Sequence, residues 1–116
     1  MSRPAHISAE ELHRRIEAGD EAVIIDVRTS EEYRTLHAAG AVALPLDELD
    51  AAAVARRVRE AGRDAGAPLY FICHSGSRAA EACERIIERF PGAAVVDGGT
   101  LAWAQSGLPV SHGDSP

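Results

Sequence analysis

The 116-residue chain contains no lysine, and aromatic residues make up only 4% of it. Its 12 basic side chains are all arginines and are outnumbered by 18 acidic ones, which gives a formal net charge of −6. Nonspecific nucleic-acid binding depends on a basic surface that neutralises phosphates. We therefore expect no nucleic-acid partner for this chain.

Long hydrophobic runs are also missing. The longest segment without Asp, Glu or Arg, residues 98–113, contains Gln105 and Pro109, so no membrane span is expected. Residues 1–19 lack the apolar core of a signal peptide. The only two cysteines are Cys73 and Cys83, and without an export signal they are typical of reduced thiols in the cytoplasm.

The composition, 46% hydrophobic and 26% charged, is that of a globular protein. A chain of this length buries about two-thirds of its unfolded surface and needs neither a disulfide nor a metal to fold. We predict one domain over residues 1–116, with a core at about residues 7–110 and a frayed polar tail at residues 111–116. No metal site is expected. His6, His13, His37 and His112 show no metal-ligand spacing with each other or with a cysteine.

Apolar strand-like runs alternate with helical patterns along the chain. The strand-like runs are residues 22–27, 41–44, 69–73 and 93–96. The helices are predicted to begin at the Ser8–Glu11 capping box, at Asp50, near Ser77 and at Thr100. This alternation predicts an α/β fold, in which a mostly parallel sheet is covered by helices on both faces.

A polar loop joins the strand at residues 69–73 to the following helix. Ligands bind beyond the carboxyl ends of strands in such sheets, and the turn amides and helix dipole there favour a thiolate. Gly76 permits a positive φ that aims amides inward, and Arg78 offers a planar cation for an oxyanion or sulfonate. We predict that Cys73 is the nucleophile. The residues predicted to bind the substrate are His74, Ser75, Gly76, Ser77 and Arg78.

Other charged and polar residues near this loop favour supporting roles. Asp26 ends a buried strand, where an unpaired charge is unfavourable, and Arg28 is its expected partner. Ser77 has a second interpretation as a helix N-cap. Arg78 opposes the helix dipole, which favours a bond from its guanidinium to loop carbonyls or to a neighbouring carboxylate. Cys83 lies on an apolar helical stripe and is predicted to belong to the core.

Four motifs in order along the chain resemble those of single-domain rhodanese-like proteins. They are Asp26-Val27-Arg28 with Glu32-Tyr33, then His37 with Gly40-Ala41, then Cys73 to Arg78, then Asp97-Gly98-Gly99 with Trp103 and residues 107–110. Leu36 and Ala38 depart from the pattern, which usually has Gly and Ile there. The resemblance implies a three-layer sandwich with a mostly parallel sheet of four to five strands.

The resemblance also implies a sulfurtransferase. Cys73 would take a sulfane sulfur from thiosulfate, or from another persulfide or polysulfide donor, and form a persulfide. It would then pass that sulfur to cyanide or to a thiol acceptor, with the loop amides holding the charge. The reaction implies no metal and no organic cofactor, and we expect a monomer or a weak homodimer.

Three other functions are compatible with parts of the pattern. A noncatalytic rhodanese-like interaction or regulatory module commonly lacks the cysteine, which this chain retains. A persulfide carrier differs from the sulfurtransferase only in the acceptor. A cysteine phosphatase fits less well, because four residues separate Cys73 from Arg78 where the phosphatase loop has five.

Overall fold

A computed structural model of the chain describes residues 4–116. The strands are β1 (Ala5–Ser8), β2 (Val23–Asp26), β3 (His37–Ala38), β4 (Val42–Ala43), β5 (Leu69–Ile72), β6 (Ala94–Asp97) and β7 (Val110–Ser111). The helices are α1 (Ala9–Glu17), α2 (Ser30–Thr35), α3 (Ala51–Glu60), α4 (Ser77–Ile86) and α5 (Gly99–Gln105). A short 3₁₀ turn at Leu46–Glu48 precedes α3.

Five strands form the main sheet, in the order β1-β6-β5-β2-β4, and every neighbouring pair is parallel. Strands β3 and β7 form a separate antiparallel pair. The predicted α/β fold and its mostly parallel sheet are confirmed. The four predicted strands agree with β2, β4, β5 and β6 to within one residue at each end.

The central strands β2 and β5 are buried along their whole length. Side chains of a strand alternate between the two faces of a sheet, so each strand contributes to two cores. Val23, Ile25 and Phe71 lie in the core that α3 and α4 cover. Ile24 and Tyr70 lie in the opposite core, which receives side chains from α1, α2 and α5. Helices therefore cover both faces of the sheet.

Besides the two-residue strands β3 and β7 and the 3₁₀ turn, two longer elements were not predicted from the sequence. Strand β1 pairs with β6 at the edge of the sheet, with Ile7 opposite Val96, but Ile7 is its only buried residue. Helix α2 has six residues and buries only Tyr33. Neither element is long or apolar enough to show a periodic pattern, although the capping box between Thr29 and Glu32 marks the start of α2.

The prediction of a frayed tail at residues 111–116 was wrong. The segment Val110–Ser111 pairs with β3, and the Gly113 amide donates to the Arg34 carbonyl at 2.8 Å. The Ser115 carbonyl lies 2.9 Å from the buried ring of His37. The tail is held through its backbone and through the His112 ring, which lies 2.7 Å from the Thr35 carbonyl, and a polar composition gives no sign of such hydrogen bonds.

The longest helices, α3 and α4, contain ten residues each. Within residues 4–116, no helix is therefore long and apolar enough to cross a bilayer. Helix α4 ends at Ile86, earlier than the apolar spacing through Phe90 predicted.

Candidate active site

Cys73 directly follows β5, at the carboxyl end of the sheet, and is the first of the four loop residues, 73–76, that precede α4. The residue is 1% exposed, and its Sγ atom accepts a hydrogen bond from the Gly76 amide at 3.0 Å. Helix α4 begins immediately after this amide, so the positive end of its dipole lies beside the sulfur. The geometry favours negative charge on Sγ.

Gly76 shapes this loop through its backbone. Its φ of +124° belongs to a region that L side chains rarely adopt, and it caps α4 without any side-chain hydrogen bond. Ser77 is the first residue of the helix, so its alternative interpretation as an N-cap was wrong. The side chains of His74, Ser75 and Ser77 are exposed around the loop.

The start of α5 holds the other side of the loop. The Thr100 amide donates to the Cys73 carbonyl at 2.7 Å, and the Leu101 amide donates to the His74 carbonyl at 3.1 Å. The two groups of a trans peptide point in opposite directions, so these bonds turn the following amides away from α5. A Cβ atom on Gly99 would overlap both carbonyl oxygens.

Gly99 and Thr100 are therefore part of the site, although the sequence did not single them out as site residues. The available signal was the Gly98-Gly99 pair at the start of a short helix. Both glycines have positive φ, at +74° and +58°. Here the second glycine is required by close backbone approach as well as by its conformation.

Arg78 is held by Glu32 of α2. Its Nη1 and Nη2 atoms donate to the two carboxylate oxygens at 2.8 and 3.0 Å, and each side chain is about one-third exposed. The Arg78 guanidinium lowers the pKa of Glu32 to about 2, and the Glu32 carboxylate raises the pKa of Arg78. This confirms that Arg78 bonds a neighbouring carboxylate, and it identifies Glu32, which the sequence left unassigned.

Asp26 and Arg28 form the expected ion pair at the end of β2. The Asp26 side chain is fully buried and the Arg28 side chain is 6% exposed. The Arg28 Nη2 atom lies 2.8 Å from Asp26 Oδ2 and 2.6 Å from the Leu36 carbonyl. The pair thus ties β2 to the end of α2, the helix that carries Glu32.

Cys83 lies on the buried face of α4, with no exposed surface. Burial raises the pKa of its thiol to about 12. The prediction that Cys83 belongs to the core is confirmed, and a thiol of this kind is unreactive at neutral pH.

A family model described as the rhodanese-like domain matches residues 8–106. The chain belongs to this family. The rhodanese-like family is also the one that the four sequence motifs resemble.

Relatives of this rhodanese-like chain differ in length and in name. A protein named sulfurtransferase, from Allochromatium vinosum, is 29% identical over 105 residues, covering 90% of this chain and 92% of that protein. An HTH-type transcriptional regulator from Mycobacterium tuberculosis is 38% identical over 113 residues, covering 92% of this chain and 45% of the regulator. The crystal structure of a thiosulfate sulfurtransferase from Pseudomonas aeruginosa has a TM-score of 0.77 at 26% identity, covering 97% of this chain and 21% of that chain.

Proposed function

We propose that this rhodanese-like chain is a sulfurtransferase with Cys73 as its nucleophile. The Cys73 thiolate attacks the outer sulfur of a donor such as thiosulfate, the donor S–S bond breaks, and sulfite leaves with the bonding electron pair. An acceptor thiolate or cyanide then attacks the outer sulfur of the Cys73 persulfide and releases the Cys73 thiolate. Both steps are displacements at sulfur, so no metal or organic cofactor takes part.

One observation carries this proposal: the Gly76 amide donates to Cys73 Sγ at 3.0 Å at the start of α4. Negative charge rests on the sulfur before the attack and on the outer sulfur of the persulfide afterwards. A fixed amide and a helix dipole stabilise such charge without having to reorganise. The charge of Cys73 also contributes to the raised pKa of Arg78, after the larger effect of the Glu32 hydrogen bond.

The burial of Cys73 determines how a donor reaches it. Val27 and Cys83 belong to the apolar core that surrounds Cys73, whereas His74, Ser75 and Ser77 are exposed on the loop. On the loop side, the exposed side chains of His74, Ser75 and Ser77 are available to bind an anionic donor, together with the N–H groups of Arg78 that Glu32 leaves free.

A persulfide carrier or a regulatory module remains the alternative role for the same site. A relative from Bacillus subtilis, named a putative sulfur carrier protein, is 35% identical over 72 residues. The match covers 62% of this chain and 35% of that protein. In that role the Cys73 persulfide would form in the same way, and a partner protein would replace the small acceptor.

The test is an intact mass spectrum of the purified protein after incubation with thiosulfate or glutathione persulfide. The wild type should gain the mass of one sulfur atom, and Cys73→Ser should abolish the gain. Cys83→Ser is the matched control and should keep it, because Cys83 lies away from the loop. Equal gains in both variants would contradict the assignment of Cys73.

A further inference from the structure

A groove with a volume of about 420 Å³ lies beside the loop that carries Cys73. We call it the side groove, and its walls are residues 27–30, which follow β2, residues 45–48, and Arg78 and Arg85 of α4. Val27 lines it, and the Val27 amide bonds the Ile72 carbonyl, which places Val27 next to Cys73. Arg78, in the first turn of α4 directly after the loop, also lines the groove.

The size and lining of the side groove suit an organic group better than an inorganic anion. Pockets that bind small organic molecules span about 300 to 1,000 Å³. Val27, Pro45 and Leu46 supply apolar surface, which stabilises a carbon stem and gives nothing to a hydrated dianion.

The charges around the side groove leave a negative excess. Each of its three arginines is already paired with a carboxylate, in the pairs Arg28–Asp26, Arg78–Glu32 and Arg85–Glu81. Asp47 and Glu48 also line the groove, and within residues 4–116 neither forms an ion pair. A ligand with a positive end therefore complements the groove, and one with a negative end does not.

We propose that the side groove binds the stem of a thiol acceptor that carries an ammonium group, which Asp47 and Glu48 recognise. This inference rests on the proposed sulfurtransferase function. The acceptor thiolate attacks the outer sulfur of the Cys73 persulfide, a new S–S bond forms on the acceptor, and the Cys73 thiolate leaves. The aminoalkyl part of the acceptor stays in the groove during the transfer and neither gains nor loses electrons.

The test compares three six-carbon thiols as acceptors: 6-aminohexanethiol, 6-mercaptohexanol and 6-mercaptohexanoate. Their long stems separate the thiol from the end group, so the three thiols have similar intrinsic reactivity. With the wild type and one donor, kcat/KM should be about threefold to tenfold higher for the amino thiol than for the alcohol, and lowest for the carboxylate. The preference should shrink with added salt, because these charges are exposed.

The double variant Asp47→Asn with Glu48→Gln should reduce the amino-to-alcohol ratio to about one. Its matched control is Asp20→Asn with Glu21→Gln, which removes the same two charges at the opposite end of β2 and should keep the wild-type ratio. Neither pair makes a side-chain hydrogen bond in the described part of the chain, so folding should be preserved.

Two failures are distinguishable. If Cys73 gains sulfur and turns over all three thiols equally, or if the Asp47/Glu48 variant keeps the wild-type ratio, the side-groove inference is wrong and the proposed function stands. If mass spectrometry finds no persulfide on Cys73 with any donor, the proposed function is wrong and the inference falls with it.

Discussion

Replacing Gly99 with alanine tests whether the start of α5 holds the loop that carries Cys73. The new Cβ would overlap the carbonyl oxygens of Cys73 and His74. Either the loop or α5 must then move, which breaks the 2.7 Å bond between the Thr100 amide and the Cys73 carbonyl. Gly107→Ala is the matched control, because Gly107 also has a positive φ, of +72°, but a Cβ there meets nothing within 4 Å.

The expected loss of stability has separable parts. A left-handed alanine costs about 1–2 kcal/mol in either variant. In Gly99→Ala, the backbone overlap adds about 1–3 kcal/mol and the lost hydrogen bond about 1 kcal/mol. We therefore expect the free energy of unfolding to fall by about 1–2 kcal/mol in Gly107→Ala and by about 3–6 kcal/mol in Gly99→Ala.

Urea unfolding measures the stability of both variants. The rate of sulfur transfer per folded molecule shows whether the loop that carries Cys73 keeps its function. Gly99→Ala should lose at least about tenfold in transfer rate, because about 1.4 kcal/mol of lost transition-state stabilisation is enough for that. Gly107→Ala should keep the wild-type rate. The reasoning is refuted if the two variants lose the same stability, or if Gly99→Ala folds and transfers sulfur normally.

Three further predictions concern a buried thiol and two ion pairs. Cys83, whose thiol has a pKa of about 12, should stay unlabelled by iodoacetamide in the folded protein at pH 8; labelling detected by mass spectrometry would show that it is accessible. Glu32→Gln should lose about 1 kcal/mol of stability at pH 7, after allowance for solvent screening, and Glu31→Gln should lose almost none. Because the pKa of Glu32 is lowered from 4.5 to about 2, its contribution is complete above about pH 4.5 and vanishes towards pH 2, so unfolding curves of Glu32→Gln and wild type should converge there. Asp26→Asn should cost about 3–5 kcal/mol in urea unfolding, because it leaves the buried Arg28 charge unpaired; a loss under 1 kcal/mol would argue against that pairing.

The sequence was most informative about features that depend on the residues of one short segment. The strands β2 and β5 are runs of apolar and β-branched residues, so burial on both faces was predictable. The position of Cys73 at a strand end followed from the same pattern. The pairing of Asp26 with Arg28 was also predictable, because the two residues are close in sequence.

Contacts between distant segments could not be predicted in the same way. Glu32 and Arg78 are 46 positions apart, and many acidic residues were equally available as partners for the arginine. The bond between Thr100 and the Cys73 carbonyl depends on how β6 places α5 against the loop. Strand β1 and the tail are held by pairing with segments that are distant in the sequence, and the side-chain contacts that accompany it, His6 with Asp97 and His112 with the Thr35 carbonyl, are equally long-range.

The pairing of β2 with β5 sets Asp26 directly opposite Ile72. Asp26, whose carboxylate pairs with Arg28, and Ile72, which precedes Cys73, are thus paired directly across the two strands. A slip of a single residue between these strands would turn every side chain of β2 to the other face. The spacing between the sulfur and its neighbouring groove is consequently fixed when the sheet forms, before any substrate arrives.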